Sequence, residues 1–238
     1  MEDLNMENLP EHIAIIMDGN RRWAKREGLD TASGHKEGAE NLKRISRFAN
    51  KIGIKYMTVY AFSTENWKRS QVEVSAIMKI LKFYLSDFLS KNDEDNIKIN
   101  VIGNIEALPN DLKNEIKKSI EKTANNTGLV LNIAFNYGGR DEIVNMTKKV
   151  VKDVVEGKIK IEDIDEELVS KNLYTANQPD PDLLIRTSGE ERVSNFLLWQ
   201  IAYSEFVFEK KYWPEFNKDD LLEAIRIYQH RTRKFGGK

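Results

Sequence analysis

Apolar residues along this chain fall into two alternating spacings. Residues 13–17, Ile-Ala-Ile-Ile-Met, form an apolar run that stops abruptly at Asp18-Gly19. A run this short, bounded by turn residues, predicts a buried strand. Leu42, Ile45, Ala49 and Ile52 then recur at helical spacing within 36–52. A second strand is predicted over 56–62. The clearest helix follows over 72–89, where Ile77, Ile80, Leu81, Tyr84, Leu85 and Phe88 fall on one wide stripe. The polar stretch 90–95 reads as a mobile loop. Residues 97–102 alternate like a strand, and Leu112, Ile116 and Ile120 mark a helix over 111–123. A strand over 129–135 ends in Asn136-Tyr137-Gly138-Gly139-Arg140, and helices are predicted over 141–155 and 166–173. Pro179 and Pro181 precede a strand over 183–185. Residues 196–208 are almost entirely apolar, and period alone leaves helix and strand both open there. A last amphipathic helix spans 218–234 and runs into Phe235-Gly236-Gly237.

Strands alternating with helices over the whole length predict an α/β fold, with a mostly parallel central sheet of about six strands flanked by helices. No linker, repeat or composition shift divides residues 1–238, so a single domain is expected, with 1–11 as a flexible lead-in. Composition adds boundaries to this picture. Forty per cent of residues are hydrophobic and 32% charged, enough for a sizeable core. The 37 basic and 38 acidic side chains nearly cancel, so the overall charge points to no nucleic acid or other polyanionic partner. Any anion site must be local. Without cysteine there are no disulfides, thiolate metal sites or thiol nucleophiles, which is compatible with a reducing cytoplasm. Residues 1–11 are polar and acidic, unlike a secretory signal. No apolar run approaches the ~20 residues that span a bilayer.

Parallel strands joined by crossover helices place their C-terminal ends on one edge of the sheet. Three polar stretches should converge there: 18–23, 63–69 and 186–194. They bring Arg21, Arg22, Arg69, Arg186 and Arg192 together with the hydroxyls of Ser63, Thr64 and Ser194. Planar guanidiniums around a glycine turn suit a diphosphate. Each arginine alone is more simply read as a solvated surface charge; their recurrence after three strands favours the anion site. His35 sits at the start of the helix predicted from Lys36, where it could donate to an anion. Asp18 has no carboxylate neighbour, which suits Mg²⁺ held by one or two carboxylates plus phosphate oxygens. Glu205, isolated among apolar residues, is a candidate second ligand or a strand-end glutamate facing water. The Gly138-Gly139 pair reads as a nest or a tight turn. Trp199, Tyr203, Phe206 and Phe208 read as core or as the lining of an apolar cavity.

These motifs resemble the cis-prenyltransferase family. The likeness runs from His12-Ile13-Ala14-Ile15-Ile16-Met17-Asp18-Gly19-Asn20 to Phe235-Gly236-Gly237. It includes Tyr60-Ala61-Phe62-Ser63-Thr64-Glu65-Asn66-Trp67, Asn136-Tyr137-Gly138-Gly139-Arg140 and residues 182–194. The resemblance implies repeated condensation of isopentenyl diphosphate onto an allylic diphosphate such as farnesyl diphosphate. The product would be a long polyprenyl (undecaprenyl) diphosphate, a lipid-carrier precursor for cell-wall synthesis, grown in a hydrophobic tunnel between sheet and helices. It further implies a homodimer, cytoplasmic, with transient contact at the inner membrane face for product release. By the same likeness Asp18 is the key acid and holds Mg²⁺, with Glu205 completing the metal site. Gly19, Asn20, Arg21, Arg22, Trp23 and His35 would surround the allylic diphosphate. Ser63, Thr64, Glu65, Trp67 and Arg69 match a substrate-contacting loop, and Asn66 the family's proposed proton acceptor. An amide is a poor base, so Asn66 is expected to position a group or water instead. Arg186, Arg192, Val193 and Ser194 would bind isopentenyl diphosphate.

Two departures qualify the likeness. Thr31 stands where most bacterial relatives carry an arginine, and Arg21 where many carry glycine, so Arg21 is expected to compensate in part. Ala61 is small at a position where bulk is associated with short products, which favours a long one. A shorter-chain paralogue and a non-catalytic partner subunit are the alternatives. An aspartyl-phosphate phosphatase of the haloacid dehalogenase type is disfavoured, because Ile16 occupies the place of its nucleophile.

Overall fold

In the computed structural model, which describes residues 4–91 and 95–231 apart from the side chains of 88–91, six parallel strands form one sheet. In chain order the elements are β1 (His12–Ile16), α1 (Asn20–Arg26), α2 (Thr31–Ile52), β2 (Tyr56–Ser63), α3 (Gln71–Lys91), β3 (Lys98–Ile102) and α4 (Asn110–Lys122). Then follow β4 (Val130–Tyr137), α5 (Gly139–Val155), α6 (Glu166–Lys171), β5 (Leu183–Arg186), β6 (Glu205–Phe208) and α7 (Lys218–Gln229). The strand order is β3-β4-β2-β1-β5-β6. β1 is fully buried, as an apolar run inside a parallel sheet must be. Ile13, Ile15, Met57 and Val59 pack against Leu42 and Ile45 of α2, Ile77 and Leu81 of α3, Ile116 of α4 and Ile225 of α7. On the opposite face, Ala14, Ile16, Ala134 and Leu184 meet Phe196, Leu197 and Ile201. Each isoleucine, leucine, valine, methionine or phenylalanine among them contributes about 1.5–3 kcal/mol on full burial.

From β1 the chain builds β2, β3 and β4 on one side of that strand, with β4 between β2 and β3, and later adds β5 and β6 on the other side. The order therefore reverses between β1 and β5, and the crevice beyond the C-terminal ends of these two strands is where such sheets place ligands.

Several boundaries differ from the sequence expectation. α2 starts at Thr31 rather than near Lys36, because the Asp30 carboxylate accepts from the Ser33 N–H at 2.7 Å and caps a turn without a large apolar residue to announce it. His35 therefore lies in the second turn of α2, not at its start. The described part of the lead-in carries local structure. Met6–Asn8 forms a 3₁₀ turn, Leu4 is buried, and Gln229 Nε2 donates to the carbonyls of Asn5 at 2.7 Å and Asn8 at 2.9 Å. Within 196–208, a turn-rich segment leads into β6. The loop expected over 90–95 begins later, as α3 continues through Lys91; residues 92–94 lie outside the described residues. So do 232–238, including Phe235-Gly236-Gly237.

The N-terminal half of the sheet holds a buried polar row. His12 Nδ1–H donates to the Pro179 carbonyl (2.6 Å), and Nε2 accepts from Thr58 Oγ1 (2.8 Å). Asn132 Nδ2 donates to Thr58 Oγ1 (3.0 Å) and Gln178 Oε1 (2.7 Å), while Asn100 Nδ2 donates to Asn132 Oδ1 (2.9 Å).

Candidate active site

β1 ends in a left-handed glycine. Gly19, at φ +101°, caps α1, and a Cβ there would stand 2.7 Å from Tyr212 Cδ1. The turn sets Asp18 beside Arg186, the register partner of Ile16. Asp18 Oδ2 accepts from Arg186 Nη2 at 2.9 Å; Oδ1 accepts from the Gly19 N–H at 2.7 Å and from Arg22 Nη2 at 3.1 Å. Burial opposes ionisation of this carboxyl, yet the hydrogen bond and charge of Arg186, then Arg22, outweigh it and hold it below the usual carboxylate range. Arg186 is itself buried, and its Nη1 donates to the Arg192 carbonyl and, at 2.8 Å, to Ser194 Oγ. Ser188, Ser194, Asn195 and Leu197 adopt positive φ in this loop (+81°, +48°, +65° and +46°), a concentration of backbone strain found at functional sites.

A second cluster forms across the cleft around Glu73, in the first turn of α3. Its Oε1 accepts from Arg69 Nη1 at 2.9 Å and lies 3.2 Å from His35 Nε2; its Oε2 is 3.8 Å from Arg21 Nη1. Burial lowers the His35 pKa, and the cations Arg69 and Arg21 add to this against the opposing pull of Glu73. Glu190, on the other side, pairs with Arg22 Nη1 at 2.9 Å and with Arg192.

The cleft between these clusters has a volume of about 1250 Å³. Of the residues named from sequence, Asp18, Gly19, Asn20, Arg21, Arg22, His35, Ser63, Glu65, Asn66, Arg69, Arg186, Arg192 and Ser194 line it. Trp23, Thr64, Trp67 and Val193 do not. Trp67 Nε1 donates to Asn136 Oδ1 at 2.7 Å, Thr64 Oγ1 to Glu65 Oε2 at 3.3 Å, and Val193 packs against the apolar cluster of Ala14 and Ile16. Asn66 Oδ1 accepts from the Ser63 N–H at 3.1 Å and orders the loop after β2. Gly138 is neither nest nor left-handed turn: its φ is −156°, and a Cβ would meet Thr64 Oγ1 at 2.7 Å and Asn195 Nδ2 at 2.8 Å. Glycine there lets the loops after β2 and β5 close on the start of α5. Sequence reasoning missed Glu73, Lys25, Leu29 and Asn195. Only Glu73 left a signal, as a carboxylate four residues after Arg69.

Glu205 does not meet Asp18. It opens β6 beside Leu183, at the opposite end of β5 from Arg186, and its Oε2 accepts from Arg231 Nη1 at 2.7 Å. Parallel strands put their starts and ends on opposite edges, so the Asp18–Glu205 metal pair expected from sequence does not form within the chain. Among the described residues no group of three or more His, Cys, Asp or Glu is placed to hold a metal ion. Asp18 alone still fits a cation carried in by a phosphate. A carboxylate offers about four lone-pair sites, and Gly19, Arg22 and Arg186 leave room for one more partner.

A small apolar cavity of about 70 Å³ adjoins the cleft and shares Met17, Asn20, His35 and Ala61 with it. Its walls are Ala39 and Leu42 of α2, Ile77, Ile80, Leu81 and Tyr84 of α3, and Ile133 and Phe135 of β4.

Comparison with known proteins agrees with this geometry. Residues 16–236 match the prenyltransferase family model described as putative undecaprenyl diphosphate synthase. An isoprenyl transferase of Bacillus thuringiensis is 52% identical over 237 residues, covering 100% of this chain and 92% of the relative. Among solved structures, lavandulyl diphosphate synthase from Lavandula x intermedia, in complex with dimethylallyl diphosphate, has a TM-score of 0.93 at 39% identity, over 97% of this chain and 100% of that one. A probable undecaprenyl diphosphate synthase from Campylobacter jejuni has a TM-score of 0.80 at 31% identity, with the same coverage of 97% and 100%. The chain belongs to the cis-prenyltransferase family of undecaprenyl diphosphate synthase-like enzymes.

Proposed function

We propose that this protein condenses isopentenyl diphosphate successively onto an allylic diphosphate, with farnesyl diphosphate as primer. The product would be a long cis-polyprenyl diphosphate of the undecaprenyl class, a lipid-carrier precursor for cell-wall synthesis. The observation that carries this reading is the junction of a guanidinium-walled cleft with an apolar cavity through Met17, Asn20, His35 and Ala61. One end suits diphosphates; the other suits an isoprenoid tail.

Departure of the allylic diphosphate builds negative charge on oxygen, and Arg22 is already oriented beside Asp18 where that charge develops. Mg²⁺, when bound through Asp18, would neutralise part of the same charge. Arg186, Arg192 and Ser194 then form the second anion pole for isopentenyl diphosphate. His35, kept neutral by burial, presents a hydrogen-bond donor without competing for protons. Asn66 orders the loop facing the reacting carbons. The exposed stripe Val144, Val151 and Val155 on α5 supports a homodimer. Among the described residues no helix is long and apolar enough to cross a membrane. A polyprenyl product would leave the protein through transient contact with the bilayer.

The likeness to a synthase bound to dimethylallyl diphosphate favours a second reading, a short-chain product. One experiment separates the two. Purified protein with Mg²⁺ and labelled isopentenyl diphosphate is given farnesyl or dimethylallyl diphosphate, and products are sized by reversed-phase chromatography. A long ladder from farnesyl diphosphate is expected. A single short product overturns the long-chain assignment, and no lipid product overturns the synthase.

A further inference from the structure

Tyr84 is the cavity-lining residue farthest along α3, and a buried cation stands against its ring. Cavity-lining residues of α2 and α3 advance together from the cleft, Ala39 and Leu42 on one helix and Ile77, Leu81 and Tyr84 on the other. One position past Leu42, the Lys43 side chain is only 7% exposed. Its Nζ bonds Glu40 Oε1 at 2.9 Å on its own helix and Asp87 Oδ2 at 2.6 Å on α3. The same ammonium lies 5.6 Å from the Tyr84 ring centroid and 5.8 Å from that of Phe83. Charge, hydrogen bond and cation–π contact therefore tie α2 to α3 beside the Tyr84 wall of the cavity.

Size makes this tie consequential. About 70 Å³ is far below the ~300–1,000 Å³ of pockets that enclose drug-sized ligands, so a growing polyprenyl chain must part α2 from α3. We propose that the Lys43–Asp87 pair is a clamp that sets product length: it holds the two helices together behind Tyr84 and fixes how far the tail extends before elongation stops. This rests on the chain-elongating reading above. A simple apolar contact at this place would serve packing equally well, since buried ion pairs seldom add net stability over apolar replacements. What the pair adds is an end wall whose partners resist sliding apart into an apolar surrounding.

The full chain is assayed with Mg²⁺, farnesyl diphosphate and labelled isopentenyl diphosphate, comparing wild type with Lys43→Met, Asp87→Asn and Lys43→Arg. Lys43→Met and Asp87→Asn should each lengthen the principal product by one or more five-carbon units without slowing the first condensation. Lys43→Arg, which keeps the cation and its partners, should retain the wild-type length. If Lys43→Met does not fold, Asp87→Asn decides, as it alters a partly exposed group on the other helix. Unchanged ladders, or lengthening by Lys43→Arg equal to that by Lys43→Met, overturn the clamp. A wild-type protein that performs no repeated condensation overturns instead the function on which the clamp rests.

Discussion

The two ends of β1 solve the same problem in opposite ways. Both carry a polar side chain into buried surroundings, His12 at the start and Asp18 just past the end. The His12 row is closed on itself: Pro179, Thr58, Asn132, Gln178 and Asn100 satisfy one another with neutral hydrogen bonds. The Asp18 end is open. It concentrates guanidiniums, positive-φ residues and buried polar atoms without partners, namely Asn20 Oδ1, Arg186 Nε and Ser188 Oγ. Buried polar groups in folded proteins are normally paired, so the exceptions at Asn20 and Arg186, both cleft-lining residues, mark where a ligand completes the bonding. The closed row fixes strand register; the open one holds chemistry in reserve.

The largest effect should separate these roles. Asp18→Asn preserves size and an acceptor for Gly19, yet removes the charge between Arg186 and Arg22. Turnover should fall about 10²–10³-fold with the circular dichroism spectrum unchanged. Thr58→Val, at the other end, strips His12 and Asn132 of a shared partner and should cost about 1–3 kcal/mol of stability in urea denaturation, with kcat intact. Wild-type turnover in Asp18→Asn, or loss of kcat in Thr58→Val, would erase the contrast between the two ends.

The pH response sharpens it further. Burial lowers the His12 pKa from 6.5 to about 4, against the opposing pull of the Pro179 carbonyl and Asp182. Below 6.5 the unfolded chain binds a proton that the folded one refuses until about 4. Stability is thus complete above 6.5 and declines as pH falls through that window, by about 3 kcal/mol in all. Denaturation at pH 7 and pH 5 should show the loss, and His12→Gln should flatten it. An equal loss in His12→Gln would assign the acid sensitivity to other groups.

A smaller effect tests the far wall of the open end. Glu73→Gln removes the charge that gathers Arg21, Arg69 and His35, so these donors should lose their common orientation. The KM for the allylic diphosphate should rise about tenfold, the loss of one charge-assisted hydrogen bond, with kcat less affected. A change confined to kcat would place Glu73 in the chemistry rather than in binding.

What was legible in sequence follows the same division. Apolar runs announce β1, β2, β4 and β5 because interior parallel strands have no water-facing side, and the polar residues at the C-terminal ends of β1, β2 and β5 announce Asp18, Arg22, Arg69 and Arg186. The closed row was invisible, since Thr58, Asn100 and Asn132 sit singly inside apolar strands and only register brings them together. Glu205 was misplaced for the same reason. Its isolation among apolar residues is real, but whether a residue lies at the start or the end of a strand is set by pairing with β5, which composition does not record. Glu73 was passed over because a glutamate in the first turn of a helix is ordinarily explained by the helix dipole alone.

The smallest expected effect concerns how the open end is supplied with cations. Thr31 lines the cleft without charge, while Arg21, one turn from Lys25 on α1, is 59% exposed and held only loosely, 3.8 Å from Glu73. An exposed guanidinium with a distant partner is free to reorient onto an incoming phosphate, so Arg21→Gly should raise the KM for the allylic diphosphate several-fold and leave kcat alone. Thr31→Arg in that background restores a cation at the start of α2, on the same cleft, and should recover the KM. Steady-state kinetics on the two variants decide the matter. If Arg21→Gly alone leaves the KM unchanged, the loosely held arginine belongs to the solvated surface, and the open end of β1 binds the allylic diphosphate without it.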